Sequence, residues 1–280
     1  LVLSVLIVTA VTAGWQTSII VDHGNNDMGW YNSLAEVNGS PAIAYTDILE
    51  SDLRYVRALD SGGNAWETPI VVESDGGGKW PSLVVVNGFP AIGYWGFDNM
   101  DLRYVRATDA NGSSWGTPVT LDSMGMVGSH VSMAIVNGHP AISYNDLDNG
   151  DLKYIRAADA NGNTWGVPLT IDSVGMVGVY TTLVVVNGKP AIGYMDYINE
   201  DLKYVRATDA DGSIWGAPVV VDSDGNVGGD ASMVVVQGYP AIGYYDDTNG
   251  DLKYVRATDV NGSAWAAPLT LDGEGEVGRE

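Results

Sequence analysis

The sequence contains no cysteine, so neither a disulfide framework nor a thiolate metal site can be built from it. The lack of cysteine leaves the compartment open. Histidine is scarce: His23, His130 and His139 are the three, and none stands in a Ser-His-Asp or His-x-x-x-His spacing. Positive charge is scarce as well, with 13 Lys and Arg against 35 Asp and Glu, for a formal charge of −22. Ten of those 13 occupy two positions of one repeated segment: Arg54 and Arg57, Arg103 and Arg106, Lys153 and Arg156, Lys203 and Arg206, Lys253 and Arg256. The remaining surface is therefore nearly all acidic. It repels phosphate backbones, which excludes nucleic acid as an expected partner and leaves cations, neutral sugars and basic proteins. A charged fraction of 17% beside 45% apolar residues excludes a disordered acidic tail. A comfortable membrane span is missing too, because the apolar run at 1–14, LVLSVLIVTAVTAG, is too short. It has the length of a signal-peptide core and ends in Val11-Thr12-Ala13, small residues suited to cleavage. Residues 1–13 are expected to be the remnant of an export signal. The mature chain then has no membrane span and is secreted or held at the cell surface; an N-terminal strand or amphipathic cap is the alternative.

What the chain has is a repeat. Trp15, Trp66, Trp115, Trp165, Trp215 and Trp265 recur at intervals of 49 to 51 residues, and the text between them recurs too. A period near 50 built from short strands is the signature of a β-propeller, so the fold class is all-β, a propeller of four-stranded blades. In the copy at 132–172, the run Ser132–Val136 is rich in strand formers, and Asn137-Gly138 supplies the two positive φ angles of a type I′ hairpin. Pro140–Tyr144 reads as the second strand, Asp151–Ala157 as the third, and Trp165–Asp172 as the fourth. Pro140 and Pro168 fall near strand starts, where a missing amide is tolerated. No blade can bury its faces alone, so stability must come from stacking neighbours.

Five complete blades follow residue 31, and residues 14–280 read as a single propeller domain that is incomplete at its C-terminal end. Trp15–Val21 is then an orphan fourth strand, suited to closing a ring by pairing with three further strands. The segment 272–280, DGEGEVGRE, matches 222–230, DSDGNVGGD, which runs on into a strand. The natural protein is expected to have six or more blades; a five-bladed ring with the orphan strand displaced is the alternative.

The turns before each Trp read TDANGSSW at 108–115, ADANGNTW at 158–165, TDADGSIW at 208–215 and TDVNGSAW at 258–265. They resemble the Asp-box (BNR) repeat of sialidase-like propellers, Ser/Thr-x-Asp-x-Gly-x-Thr-Trp, with Gly and Trp in place and the Asp one position early. The resemblance covers the repeats from about 31 to 272. It implies that the box is a structural hairpin, its Asp bonding turn amides, and that Trp66, Trp115, Trp165, Trp215 and Trp265 pack between strands. The sialidase catalytic set, an arginine triad, a tyrosine with a glutamate and an acidic acid/base, has no counterpart that can be carried over, and no catalytic residue is assigned. Asn111-Gly-Ser and Asn261-Gly-Ser are glycosylation sequons that read as turn chemistry.

Loops joining strands 4 to 1 and 2 to 3 open on one face of a propeller, and these are where the copies differ. Trp30, Tyr31, Trp80, Trp95, Phe97, Tyr180, Tyr197 and Tyr245 lie in or beside them. Aromatic faces beside Asp, Asn and Gly suit a sugar, whose C–H surfaces stack on rings while polar groups fix its hydroxyls. Equally, such aromatics plug a channel or cover gaps between blades. Mutation of Trp80 or Trp95 is expected to abolish sugar binding with little loss of stability. Calcium is the one cofactor in view, because Asp146, Asp148 and Asp151 put three carboxylates in a Gly-containing loop. The basic pairs of the third strand read as partners for acidic neighbours. Three functions stay open: a non-catalytic module binding carbohydrate or another surface ligand, the leading reading; a sialidase-like glycoside hydrolase; and a structural or adhesive scaffold for protein partners.

Overall fold

The computed structural model describes residues 18–24, 28–74 and 76–278. The proposed signal remnant at 1–13 and the start of the orphan strand lie outside them. Twenty strands form five antiparallel four-stranded sheets, each in simple sequence order, and no helix occurs among the described residues. The sheets are five propeller blades: 28–73, 79–122, 127–172, 177–222 and 227–272. Among the described residues there is accordingly no helix long and apolar enough to cross a membrane.

Local chemistry accounts for each blade. Asn38, Asn87, Asn137 and Asn187 take φ of 46–47° and the glycines after them 74–82°, the two left-handed positions that a type I′ hairpin requires. The fourth strand is shorter than the sequence suggests. Trp165 makes only an isolated bridge to Ala157, and the strand proper is Leu169–Asp172. Pro168, which has no amide to give the ladder, sits in the break. The box turn behaves as the resemblance implies: the Asp109 carboxylate accepts from the amides of Asn111, Ser113 and Ser114 at 2.9, 3.2 and 2.8 Å. Desolvation opposes charge on Asp109, but these hydrogen bonds outweigh it and bring its pKa down to about 2.

Cores lie between blades rather than within them. Ala42, Ala44, Leu53 and Tyr55 of the first blade bury themselves against Leu83, Ile92, Tyr94 and Val105 of the second, and the pattern repeats at three further interfaces. On the innermost strands, Ser or Thr hydroxyls accept the next blade's amides, as in Met133 N–H to Ser82 Oγ at 2.9 Å and Leu183 N–H to Ser132 Oγ at 2.9 Å. On the hairpin face the box Trp reaches across as well. Trp165 donates Nε1–H to Gly162 at 2.9 Å and sets its ring edge-on to Tyr104 of the preceding blade, centroids 5.0 Å apart. Gly162 must be glycine here: its φ is +74°, and a Cβ would lie 2.6 Å from the Tyr104 hydroxyl.

A buried polar lock joins the blades further out. Asp122, ending the second blade, accepts from Tyr144 Oη–H at 2.7 Å and Lys153 Nζ at 2.6 Å in the third, and Lys153 also lies 3.5 Å from Asp146. Asp172 with Tyr194 and Lys203, and Asp222 with Tyr244 and Lys253, repeat it. Where Arg103 replaces the lysine, Glu73 replaces the aspartate and bonds both Arg103 and Tyr94. Gly96 stands there in place of the second acid, and a Cβ on it would come within 2.6 Å of the Arg103 chain. The first basic residue of each pair thus meets acidic neighbours. The second meets the expectation only in part: Arg106 and Arg156 donate to the carbonyls of Val86 and Val136 at the end of the innermost strand, while Arg156 also pairs with Asp211 at 3.1 Å and Arg57 lies 3.9 Å from Glu67.

Among the described residues, the outer faces of the first and fifth blades meet no neighbouring blade. Leu34 is 67% exposed, whereas its equivalents Leu83, Met133, Leu183 and Met233 are at most 6% exposed. On the fifth blade Val236 is 37% exposed where Val86, Val136 and Val186 are fully buried. Residues 18–21 of the orphan segment carry no strand, which corrects that reading for the described part; Trp15–Thr17 lie outside the described residues. Asp22 nonetheless does what a fourth-strand acid does, accepting from Tyr45 Oη–H at 2.5 Å and lying 3.8 Å from Arg54.

Candidate functional site: an aromatic mouth on the propeller axis

The first strand of each blade enters through a register shift, a β-bulge that re-aims the chain before regular pairing begins. One residue of each bulge sits in left-handed backbone: Tyr31 (φ 48°), Trp80 (48°), His130 (51°), Tyr180 (52°) and Asp230 (46°). For a bulky residue this costs about 1–2 kcal/mol. Gly or Asn takes left-handed backbone at least cost, as at four of the five first hairpins. Instead these are bulky or charged residues at one position of five near-copies, differing from blade to blade.

The five converge. Together with Asn32, Thr181 and Ser232 they line a cavity of about 250 Å³ where the innermost strands meet, near the lower edge of the ~300–1,000 Å³ usual for small-ligand sites. Their rings form an arc, with centroid distances of 5.0 Å from Tyr31 to Trp80, 4.7 Å from Trp80 to His130, and 4.7 Å from His130 to Tyr180. Asp230 continues the series on the fifth blade and, among the described residues, is the one acidic side chain lining the cavity. Thr181 Oγ1–H donates to the His130 carbonyl at 2.9 Å, fixing that bulge from the neighbouring blade. Burial pushes the His130 imidazole down to about 4, so the ring is neutral at physiological pH.

Of the eight aromatics singled out from sequence, Tyr31, Trp80 and Tyr180 line the cavity. Trp95 stands behind Trp80 at 5.3 Å and is only 7% exposed, so it supports the mouth rather than facing a ligand. Among the described residues its Nε1 finds no hydrogen-bond partner. Phe97 packs on Trp95, with Lys79 Nζ 4.0 Å from its ring centroid. Trp30 flanks Tyr31 at 6.1 Å and is exposed; Tyr197 is exposed outside the mouth, and Tyr245 is buried. The sequence reading missed His130 and Asp230. Aligning the copies on the residue just before the first strand's regular run would have found both, since that column reads Tyr, Trp, His, Tyr, Asp. The mouth is thus one site assembled from five blades.

The three carboxylates considered for calcium point to separate partners. Asp146 takes Lys153 and both nitrogens of Asn149, while Asp148 accepts the Met126 amide at 2.9 Å. Asp151 begins the third strand opposite Asp146. Among the described residues no group of three or more His, Asp or Glu lies close enough to hold a metal ion.

No protein-family model and no curated protein matches this chain. Solved structures do. A Hadza microbial sialidase superposes with a TM-score of 0.59 at 18% identity, over 89% of this chain and 59% of its own. A bifunctional GH43-CE protein from Bacteroides eggerthii gives 0.52 at 14% identity, over 90% of this chain and 34% of its own. The GH43 endo-arabinanase of Bacillus licheniformis gives 0.50 at 14% identity, over 91% of this chain and 99% of its own. The chain thus spans about three fifths of the first and about a third of the second. At such identities the likeness is one of fold, and the fold is a β-propeller of the kind found in a sialidase and in GH43 proteins.

Proposed function

We propose that this chain is a secreted or cell-surface carbohydrate-binding propeller whose site is the axial mouth. One observation carries the reading: a single repeat position, filled by Tyr31, Trp80, His130, Tyr180 and Asp230, holds unfavourable backbone in every blade and brings five side chains of four kinds to one cavity. The bulge explains the left-handed backbone in each blade, but not why bulky or charged side chains rather than Gly occupy it, and strain kept in that way supports a functional reading. Rings beside polar groups suit a sugar, and a cavity this size suits one pyranose ring or a chain end. The similar folds named above include a sialidase and an endo-arabinanase, proteins that act on sugars.

Binding is favoured over hydrolysis because two-acid glycosidase chemistry needs a pair of carboxyl groups flanking one bond, and the described lining offers Asp230 alone. A glycan array read with and without chelator tests the reading and the role of calcium together. Trp80→Ala should weaken any array hit by about 30-fold or more, the roughly 2 kcal/mol expected of a central aromatic anchor. Tyr31→Ala, in a different blade, should do the same to a lesser degree. A wild-type protein that binds no glycan would end the proposal, as would a hit indifferent to both substitutions. Turnover of a fluorogenic glycoside would move it to the hydrolase.

A further inference from the structure

We infer that an apolar strip on the loop rim of the second to fourth blades docks a basic protein segment, one that sets apolar side chains between lysines or arginines. The strip lies outside the axial mouth, and the inference stands apart from the carbohydrate reading. Met124 and Met126 join the second blade to the third, and Val174 and Met176 join the third to the fourth. Tyr197 and Ile198 follow within the fourth, and these six side chains are 37–79% exposed. Backbone hydrogen bonds make their loops continuous. Leu147 N–H donates to the Met126 carbonyl at 2.9 Å, Val177 N–H to that of Gly150 at 2.8 Å, and Tyr197 N–H to that of Met176 at 2.8 Å. A contiguous exposed apolar surface of this kind marks an interaction site.

The next copy of the repeat is an internal control. It carries Asp224 and Asn226 where the strip has Met or Val, and Asp247 and Thr248 where it has Tyr197 and Ile198. Its backbone is the same. Gly125, Gly175 and Gly225 take φ of 100°, 98° and 95°, and Asp247 N–H donates to the Asn226 carbonyl at 2.8 Å as Tyr197 does to Met176. Thr248 accepts the Asn226 amide where Asp148 accepts that of Met126. The turn therefore needs nothing apolar, and architecture does not account for the strip. Half of its side chains are methionines, flexible enough to fit a partner's surface. Charge indicates what that partner is. The loops 123–126, 147–150, 173–176 and 197–200 carry exposed Asp148 and Glu200 and no Lys or Arg, in a chain of net charge −22. A segment bearing Lys or Arg is drawn in and held by these acids while its apolar side chains cover Met and Val. An anionic lipid surface or a second copy of this chain would bring like charge instead.

Fluorescence anisotropy with synthetic peptides of equal length tests this: an amphipathic peptide of Leu and Lys, a Ser and Lys peptide of the same charge, and a Leu and Glu peptide. The Leu/Lys peptide should bind at least about tenfold more tightly than the Ser/Lys peptide, and the Leu/Glu peptide should not bind. Val174→Asp with Met176→Asn, or Met124→Asp with Met126→Asn, installs the next copy's own residues, so each pair keeps the fold, checked by an unchanged melting temperature. Each should weaken the Leu/Lys peptide by at least about tenfold even though it adds a negative charge. Attraction to the acidic surface at large gives the opposite sign, and unchanged or tighter binding in both pairs would overturn the proposal. Equal affinity for the Leu/Lys and Ser/Lys peptides would do so too, as would a wild type that binds neither. Two controls cover the other occupants: vesicles of phosphatidylcholine with phosphatidylserine, and sedimentation of the protein alone. Vesicle binding or self-association that is lost in the same variants would overturn the basic segment in favour of a lipid surface or a second copy. Glycan binding should be unchanged in both pairs, since none of the four residues lines the mouth. A wild type that binds the Leu/Lys peptide but no glycan would end the carbohydrate reading and support this one.

Discussion

Replacing Lys153 with alanine is expected to lower the unfolding free energy by about 3–5 kcal/mol, because it leaves a buried carboxylate uncompensated. The Asp122 and Asp146 side chains are almost wholly buried, and Lys153 Nζ lies 2.6 and 3.5 Å from them. Burial pushes Asp122 toward its neutral form, but the hydrogen bonds from Lys153 and Tyr144 outweigh burial and hold its carboxyl below the usual range. Asp172 and Asp222 are held down in the same way by Lys203 and Lys253. A carboxyl depressed in the folded state contributes stability above its unfolded pKa of about 3.9 and loses it as pH falls through the lower folded value. The wild-type protein should therefore resist acid until below about pH 4. Without Lys153, burial dominates at Asp122, its pKa rises, and acid unfolding should begin at higher pH. Urea unfolding at several pH values measures both effects. Lys189→Ala is the control: Lys189 is a surface residue bonding the Thr208 carbonyl, and its loss should stay within about 0.5 kcal/mol.

Trp95→Ala is the second large effect, about 3–5 kcal/mol of stability. The sequence grouped Trp95 with the ligand-facing rings and implied that its loss would spare the fold. Burial reverses that. Trp95 fills the space between Trp80 and Phe97, and removing it opens a cavity under the mouth. Binding should then fail because Trp80 loses its support. Trp80→Ala, at a less buried position, should lose binding with a much smaller drop in unfolding midpoint. Denaturant titrations of the two variants side by side measure this; equal destabilisation would return Trp80 to a purely architectural role.

The repeat made the architecture legible. An interval of about 50 residues, Asn-Gly at four of the five first hairpins with Gln237-Gly238 at the fifth, proline near strand starts and Gly-x-x-Trp in each box are local signals, and each produced the element it implied. What stayed hidden lies between blades. The partners of Lys153 are 31 residues back and 7 back, and Tyr104 meets Trp165 across 61 positions, so no local pattern announces them. The third-strand arginines looked equivalent to the lysines three positions before them, yet successive residues of a strand face opposite sides, so Lys153 meets Asp122 while Arg156 reaches the Val136 carbonyl and Asp211 of the next blade. The aromatic candidates were chosen by residue type and loop, which gathered Trp80 and Tyr180 together with the distant Tyr197. Left-handed backbone at the bulge, not aromaticity, sorts them, and that is how His130 and Asp230 join the site. The columns on either side of theirs, Trp30, Lys79, Ser129, Val179 and Gly229 before it and Asn32, Pro81, Val131, Thr181 and Ala231 after it, vary as well, so sequence variation alone did not single it out.

Hydroxyl-radical footprinting of the protein, with and without a saturating glycan taken from the array, tests the central claim most directly. Protection is expected at Tyr31, Trp80, His130 and Tyr180 together, with Trp30 and Tyr197 as reactive as before. Protection at Trp30 or Tyr197 with the axial residues unchanged would contradict the assignment of the mouth as the binding site.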